Sequence, residues 1–121
     1  ALEGISLNLA SGLDRLRSLG LAIDAVRLVG GGAKNALWAQ MLADALGVSV
    51  QRLAEPESAA LGAALQAQAI AEGRSSDEVA TRAIAFEGVP LSPEPARVAA
   101  YRALRARFES AVAVTTGASA A

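Results

Sequence analysis

The 121-residue chain contains no histidine or cysteine, a single lysine, and 11 basic against 12 acidic residues, for a net charge of −1. This composition excludes zinc sites built from Cys and His ligands, disulfide bonds, and catalysis by a Ser-His-Asp triad or a Cys-His pair. The balanced charge argues against a protein that binds duplex DNA, because such proteins usually carry a basic excess on one face. Hydrophobic residues form 53% of the chain and alanine dominates them, so we expect one helix-rich domain.

The sequence shows neither a membrane span nor a secretory signal. No apolar run approaches the roughly 18 residues that a transmembrane helix needs, and the first residues lack a basic region followed by an apolar stretch. Together with the absence of cysteine, these features predict a cytoplasmic protein with no membrane or nucleic-acid partner. The sequence begins with Ala1 rather than methionine, which indicates a processed chain or part of a longer protein.

The first predicted element is a helix over residues 2–19, because large apolar residues recur there at spacings of three and four. These residues are Leu2, Ile5, Leu9, Leu13 and Leu16. Gly4 and Gly12 within this helix indicate that a neighbouring element approaches its backbone closely. Residues 25–29 form a mostly apolar run, which predicts a buried strand leading into three consecutive glycines.

A second helix is predicted between Asn35, which can cap its first turn, and Gly47, which can end it. Its predicted apolar face consists of Leu37, Trp38, Met41, Leu42 and Ala45. Residues 48–53 alternate between apolar and polar side chains, which predicts a second strand.

Helices dominate the rest of the prediction. Pro56 suits the first turn of a third helix, which ends near Gly73. Ser75 and Glu78 have the spacing of a capping box, which predicts a short helix continuing to about Phe86.

The C-terminal part of the chain is predicted to contain a loop, a helix and a tail. Residues 87–92 are predicted to be the loop, and Ser92-Pro93 to open a last helix through Phe108. Residues 113–121 are small and polar, which predicts a disordered tail.

The order of elements predicts an α/β fold. A strand-helix-strand unit implies two parallel strands joined by a right-handed crossover. Two strands alone cannot form a stable parallel sheet that is buried on both faces. We therefore expect further strands from elsewhere in a larger fold, or from another chain.

The residues that suggest chemistry lie in the glycine turn, defined as residues 30–35 (Gly-Gly-Gly-Ala-Lys-Asn). Backbone N–H groups in such a turn can converge on an anion, although a tight turn without a ligand explains the glycines equally well. A dinucleotide fingerprint is excluded because position 35 is Asn rather than Gly. A P-loop is excluded because Lys34 follows Ala33 and precedes Asn35.

The segment 26–65 resembles the adenosine-binding region of sugar kinases of the actin-like ATPase superfamily, which have a ribonuclease H-like fold. The glycine turn followed by Leu37-Trp38 is most similar to the xylulokinases. The resemblance covers about residues 1–110. The other matching residues are Glu3-Gly4, Gly12-Leu13, Gln40, Ala43-Asp44, Gly47, Glu57 and Ala60–Ala64.

This resemblance implies ATP-dependent phosphorylation of a sugar hydroxyl, with an aspartate base and Mg²⁺ on the phosphates. By resemblance, the nucleotide-binding residues are Gly31, Gly32, Ala33, Lys34 and Asn35. The first three would act through their backbone, and the last two would lie at the rim. Residues 57–62 would line or support the adenine pocket. Residues 1–112 would then form the C-terminal part of the nucleotide-binding domain, with ATP and a sugar as ligands.

The resemblance leaves the catalytic residues unassigned. The family's phosphate-binding Asp-Gly-Thr segment, sugar contacts and catalytic aspartate lie upstream of the matching region. The four aspartates of this chain have the context of helix surfaces, helix ends or caps: Asp14, Asp24, Asp44 and Asp77. We therefore predict no catalytic or metal-binding residue here, and no activity for the chain alone.

Several alternatives remain open at this stage. The chain is interpreted as part of a xylulokinase, of a kinase for another sugar or polyol, or of a noncatalytic α/β module that assembles with a partner chain. A homodimer is also an open arrangement. Trp38 is expected to pack in the core rather than stack on adenine, and Lys34 to be solvated rather than bound to a phosphate. Gly62 is expected to contact either the ligand or the glycine turn.

Overall fold

The computed structural model describes residues 1–55 and 57–117. The glycine turn contains a single 3-10 turn, Gly31–Lys34. The other elements are α1 (Leu2–Ser18), β1 (Ala25–Leu28), α2 (Ala36–Leu46), β2 (Ser49–Leu53), α3 (Ser58–Glu72), α4 (Ser76–Ala83), β3 (Phe86–Leu91) and α5 (Pro95–Thr116).

The three described strands form one mixed sheet in the order β1-β2-β3. Strands β1 and β2 are parallel, with Ala25 opposite Ser49 and Leu28 opposite Arg52. The predicted parallel pair is therefore confirmed. Strand β3 then runs antiparallel to β2, so a third strand comes from this chain itself.

The prediction of a loop over residues 87–92 was wrong, and the short helix ends at Ala83 rather than near Phe86. Strand β3 lies at the edge of the sheet, and its residues are exposed up to Leu91. Because neither face of this part of β3 is buried, its sequence shows no alternation of apolar and polar residues. It also contains Gly88 and Pro90, residue types that are depleted in strands.

The main core lies where α1 and α2 pack against β2. Its buried members are Ala10, Leu42, Ala43, Leu46, Val48 and Val50. Helix α5 packs on α1 and α2. A separate small core joins α3 and α4 through Leu65, Ala69 and Val79.

The predicted inward face of α1 was partly wrong, although the helix itself is confirmed and Leu13 packs against the main core. Ile5 and Leu9 are each 49% exposed, whereas Ser6 and Ala10 are buried. No described atom lies within 4 Å of a Cβ placed on Gly4 or Gly12, so no described neighbour approaches the backbone there. The buried residues of α1 are Ser6, Leu7 and Ala10, and a pattern based on large apolar residues gives no weight to Ser or Ala.

The predicted face of α2 was partly wrong. Leu42 is buried as expected, but Leu37 is 68% exposed. The buried surface instead includes Ala39, Ala43 and Leu46. The helix boundaries are confirmed, because Asn35 caps the start and Gly47 takes the left-handed conformation at the end.

Local capping chemistry also sets the ends of α3 and α4. Gly73 ends α3 with φ of 61°. Ser75 Oγ accepts a hydrogen bond from the Glu78 N–H at 3.2 Å, and Glu78 Oε2 accepts one from the Ser75 N–H at 3.1 Å. This reciprocal pair confirms the predicted capping box. The prediction for Pro56 lies outside the described residues.

Helix α5 begins later and ends later than predicted. It starts at Pro95 after Glu94 and continues to Thr116, so the predicted boundary at residue 113 lies inside the helix. Residues 118–121 lie outside the described part of the chain, so a disordered tail stays a prediction. Of the helices described, none is long and apolar enough to cross a membrane.

Asp44 fixes the start of α5. Its side chain is 1% exposed, and its Oδ1 accepts hydrogen bonds from the Glu94 N–H at 2.8 Å and the Gln40 amide at 3.0 Å. Its Oδ2 lies 3.4 Å from Arg97 Nη1. The carboxylate therefore caps a helix other than its own, and it is not at a helix surface.

Candidate functional site

The glycine turn lies at the carboxyl end of β1, where its backbone is closely constrained. Gly30 has φ of 80° and ψ of −175°, a conformation that favours glycine. The Ala33 N–H donates to Gly30 O at 3.0 Å, and the Asn35 N–H donates to Gly32 O at 3.1 Å. Asn35 Oδ1 accepts from the Trp38 N–H at 3.1 Å and starts α2.

Trp38 packs behind the turn, which confirms that it belongs to the core. Its indole N–H donates to Ser6 Oγ at 3.1 Å. A Cβ on Gly32 would lie 2.1 Å from Trp38 Cζ3 and 2.9 Å from Cε3. Gly32 is therefore required by the ring behind it, whereas a Cβ on Gly31 meets nothing within 4 Å.

Arg52 connects the turn to the sheet, and it was not among the residues predicted for the site. Its Nη1 donates to Ala33 O at 3.4 Å, and its Nη2 lies 3.2 Å from Glu87 Oε1. The Arg52 side chain is only 18% exposed. The one sequence signal is a charged residue near the end of a strand, which is too common to identify a site.

A cavity of about 210 Å³ lies beside the turn. It is at the end of the sheet where β1 and β2 finish, the usual place for ligands in α/β folds. Its lining residues are Ala33, Lys34, Leu53, Ala54 and Glu87. It therefore combines apolar walls with one ammonium and one carboxylate group.

A larger cavity of about 470 Å³ lies between α4 and the strands β1 and β3. Its wall includes Arg27, whose guanidinium lies 5.3 Å from the centre of the Phe86 ring. None of its lining residues belongs to the glycine turn, so it is separate from the predicted site.

The structure separates the predicted site residues by exposure. Ala33 is 3% exposed and faces the interior, whereas Gly31, Lys34 and Asn35 are exposed. No described atom lies within 4 Å of a Cβ placed on Gly62. The alternative in which Gly62 packs against the glycine turn is therefore wrong.

Two of the four aspartates have side-chain partners. Asp14 pairs with Arg17 at 3.0 Å and with Arg105, and Asp44 caps α5 as described above. Within residues 1–55 and 57–117, no group of three or more acidic side chains is arranged to hold a metal ion.

Proteins similar to this chain include sugar kinases. Residues 1–71 match the profile of the FGGY family of carbohydrate kinases, C-terminal domain. The chain is 37% identical over 108 residues to a xylulose kinase of Escherichia coli, covering 88% of this chain and 22% of the relative. It is 47% identical over 66 residues to a xylulose kinase of Haemophilus influenzae, covering 54% of this chain and 13% of the relative.

The fold is shared with a solved kinase structure. The crystal structure of a xyloylose kinase from Brucella ovis superposes with a TM-score of 0.83 at 27% identity, covering 98% of this chain and 24% of that one. The chain thus spans between 13% and 24% of the length of these relatives. The predicted α/β class and kinase resemblance are confirmed, and the chain belongs to the FGGY family of carbohydrate kinases.

Proposed function

We propose that this chain is the nucleotide-binding C-terminal part of a xylulokinase, which transfers a phosphoryl group from ATP to D-xylulose and forms ADP and D-xylulose 5-phosphate. The observation that carries the proposal is the family match over residues 1–71, which includes the glycine turn. The names of the two curated relatives support xylulose as the sugar. The proposed domain comprises residues 1–112.

The proposed nucleotide site consists of the predicted residues Gly31, Gly32, Ala33, Lys34 and Asn35. Gly31 and Gly32 begin the 3-10 turn, and the first N–H groups of a helical turn have no partner within it. These groups are suited to bind the α-phosphate or the adenosine of ATP.

Lys34 and Asn35 have different roles in this proposal. Lys34 lines the cavity beside the turn and supplies a positive charge near the phosphates. Asn35 uses Oδ1 for its cap, which leaves its side-chain N–H₂ group as a donor toward the nucleotide.

Phosphoryl transfer depends mostly on positioning and charge neutralisation. Mg²⁺ supplies part of that neutralisation in ATP-dependent kinases, usually bound through the substrate phosphates. The described residues do not form a magnesium site, so we assign the metal no ligand in this chain. We also place the sugar and the catalytic base in the region of the full-length protein outside this chain.

The test is to assay the full-length protein that contains this chain with ATP and a panel of ketoses, aldoses and polyols. We expect the highest kcat/KM with D-xylulose. A higher kcat/KM for another sugar or a polyol would replace the substrate but keep the kinase. Absence of any ATP-dependent phosphorylation would contradict the proposal and favour a noncatalytic module.

A further inference from the structure

We propose that Arg52 is a positioning residue that fixes the glycine turn for nucleotide binding, and that Glu87 holds Arg52 in place. This inference rests on the proposed function, because it assigns Arg52 a role in the ATP site. The guanidinium acts through the turn, since both of its terminal nitrogens are already engaged by Ala33 O and Glu87.

The parallel register brings Arg52 to the turn. Arg52 lies opposite Leu28, the last residue of β1. Its Cα is therefore close to the start of the glycine turn. Hydrogen bonds hold several carbonyl oxygens of the turn. Gly30 O and Gly32 O are bonded within the turn, and Ala33 O is bonded by Arg52.

The bond to Ala33 O matters because the carbonyl at the end of a helical turn lacks a partner within it. Arg52 supplies that partner from a neighbouring strand. A peptide group is planar, so fixing the Ala33 carbonyl also fixes the N–H of Lys34. The Lys34 side chain then leaves the backbone in a set direction, beside the cavity that it lines.

An irregularity in β3 places Glu87 beside Arg52. Val50 pairs with Leu91, and a regular antiparallel register would put Val89 opposite Arg52. Glu87 is opposite Arg52 instead, so β3 contains two extra residues at this point. Gly88 has φ of 64° there, a conformation that bulges commonly use to redirect a side chain.

The experiment compares Arg52→Gln, Arg52→Lys and Glu87→Gln in the full-length protein. Arg52→Gln should raise the KM for ATP about tenfold, because it removes a charged hydrogen bond to the turn. The kcat and the KM for the sugar should change less than about twofold. Arg52→Lys should fall between wild type and Arg52→Gln, since a lysine cannot bridge two acceptors in the same way. Glu87→Gln should raise the KM for ATP about threefold.

Arg27→Gln is the matched control, because Arg27 is also on a strand but contacts the Phe86 ring rather than the turn. It should leave the KM for ATP unchanged. Hydrogen exchange of a peptide covering residues 30–35, measured without nucleotide, should become at least threefold faster in Arg52→Gln and remain unchanged in Arg27→Gln.

An unchanged KM for ATP in Arg52→Gln, or unchanged exchange of residues 30–35, would overturn the inference while wild-type kinase activity still supported the proposed function. Equal increases in the KM for ATP and the KM for the sugar together with a large loss of kcat, without rescue by Arg52→Lys, would indicate a general structural defect and also overturn it. If the wild type does not use ATP, the proposed function and the nucleotide role of Arg52 both fail.

Discussion

Replacing Gly32 by alanine should destabilise the chain because of Trp38. The added Cβ would lie 2.1 Å from Trp38 Cζ3, whereas carbon atoms in contact prefer about 3.5 Å. The ring would therefore have to move by more than about 1 Å. That movement would strain the hydrogen bond from the indole N–H to Ser6 Oγ.

The expected cost follows from opposing effects. Overpacking typically costs about 1–3 kcal/mol, and a lost hydrogen bond costs about 1 kcal/mol. Gly32 is not among the glycines with positive φ, so alanine also lowers the entropy of the unfolded chain and returns about 0.4–1 kcal/mol. We expect a net loss of about 2 kcal/mol in the free energy of unfolding.

Urea unfolding followed by far-ultraviolet circular dichroism, a signal that does not depend on Trp38, measures this loss. Gly31→Ala is the control, because its Cβ meets nothing within 4 Å, and it should be neutral or slightly stabilising. In a Trp38→Phe background, Gly32→Ala should cost less than half as much, since the clashing part of the indole is gone. Equal stability of Gly32→Ala and Gly31→Ala would refute the assigned contact.

Three further predictions concern ATP binding, helix packing and pH. In the full-length protein, Gly31→Val should raise the KM for ATP at least about tenfold, because it places a side chain over the proposed site. The KM for the sugar should change little. Equal changes in both KM values would contradict that site. Asp44→Ala should lower the free energy of unfolding by about 3 kcal/mol and speed hydrogen exchange at the start of α5. A loss smaller than about 1 kcal/mol would contradict the cap on α5. The pKa of Glu72 is lowered by its hydrogen bond from Gln68 and by Arg82. The stabilising effect of Glu72 is therefore present above about pH 4.5 and lost as pH falls through the lowered pKa. Glu72→Gln should make the free energy of unfolding depend less on pH in that range. An unchanged pH dependence would count against the interaction.

The parts of the fold that depend on local chemistry could be predicted from the sequence. Asn35, Gly47 and Gly73 set helix ends within one or two residues of themselves, and the Ser75 capping box uses atoms only three residues apart. The parallel strands also followed from one short apolar run and one run of alternating apolar and polar residues, separated by a helix. The family resemblance rested on the same local feature, the glycine turn with its following helix.

The parts that depend on contacts between distant residues were missed. The face of α1 was largely misassigned because two of its three buried residues, Ser6 and Ala10, carry little hydrophobic signal. Arg52 and Glu87 are separated by 35 positions, and they meet only because β3 contains an irregularity at Gly88. Asp44 was interpreted as a helix-surface, helix-end or cap residue; it is a cap, but its partner at Glu94 is 50 positions away.

The most direct test of the proposed ATP site is hydrogen exchange of the full-length protein with and without a nonhydrolysable ATP analogue. We expect slower exchange for peptides that cover residues 30–35, and unchanged exchange for residues 76–86 beside the larger cavity. Slower exchange only at residues 76–86, or no change at residues 30–35 under saturating nucleotide, would contradict the claim that the glycine turn binds ATP.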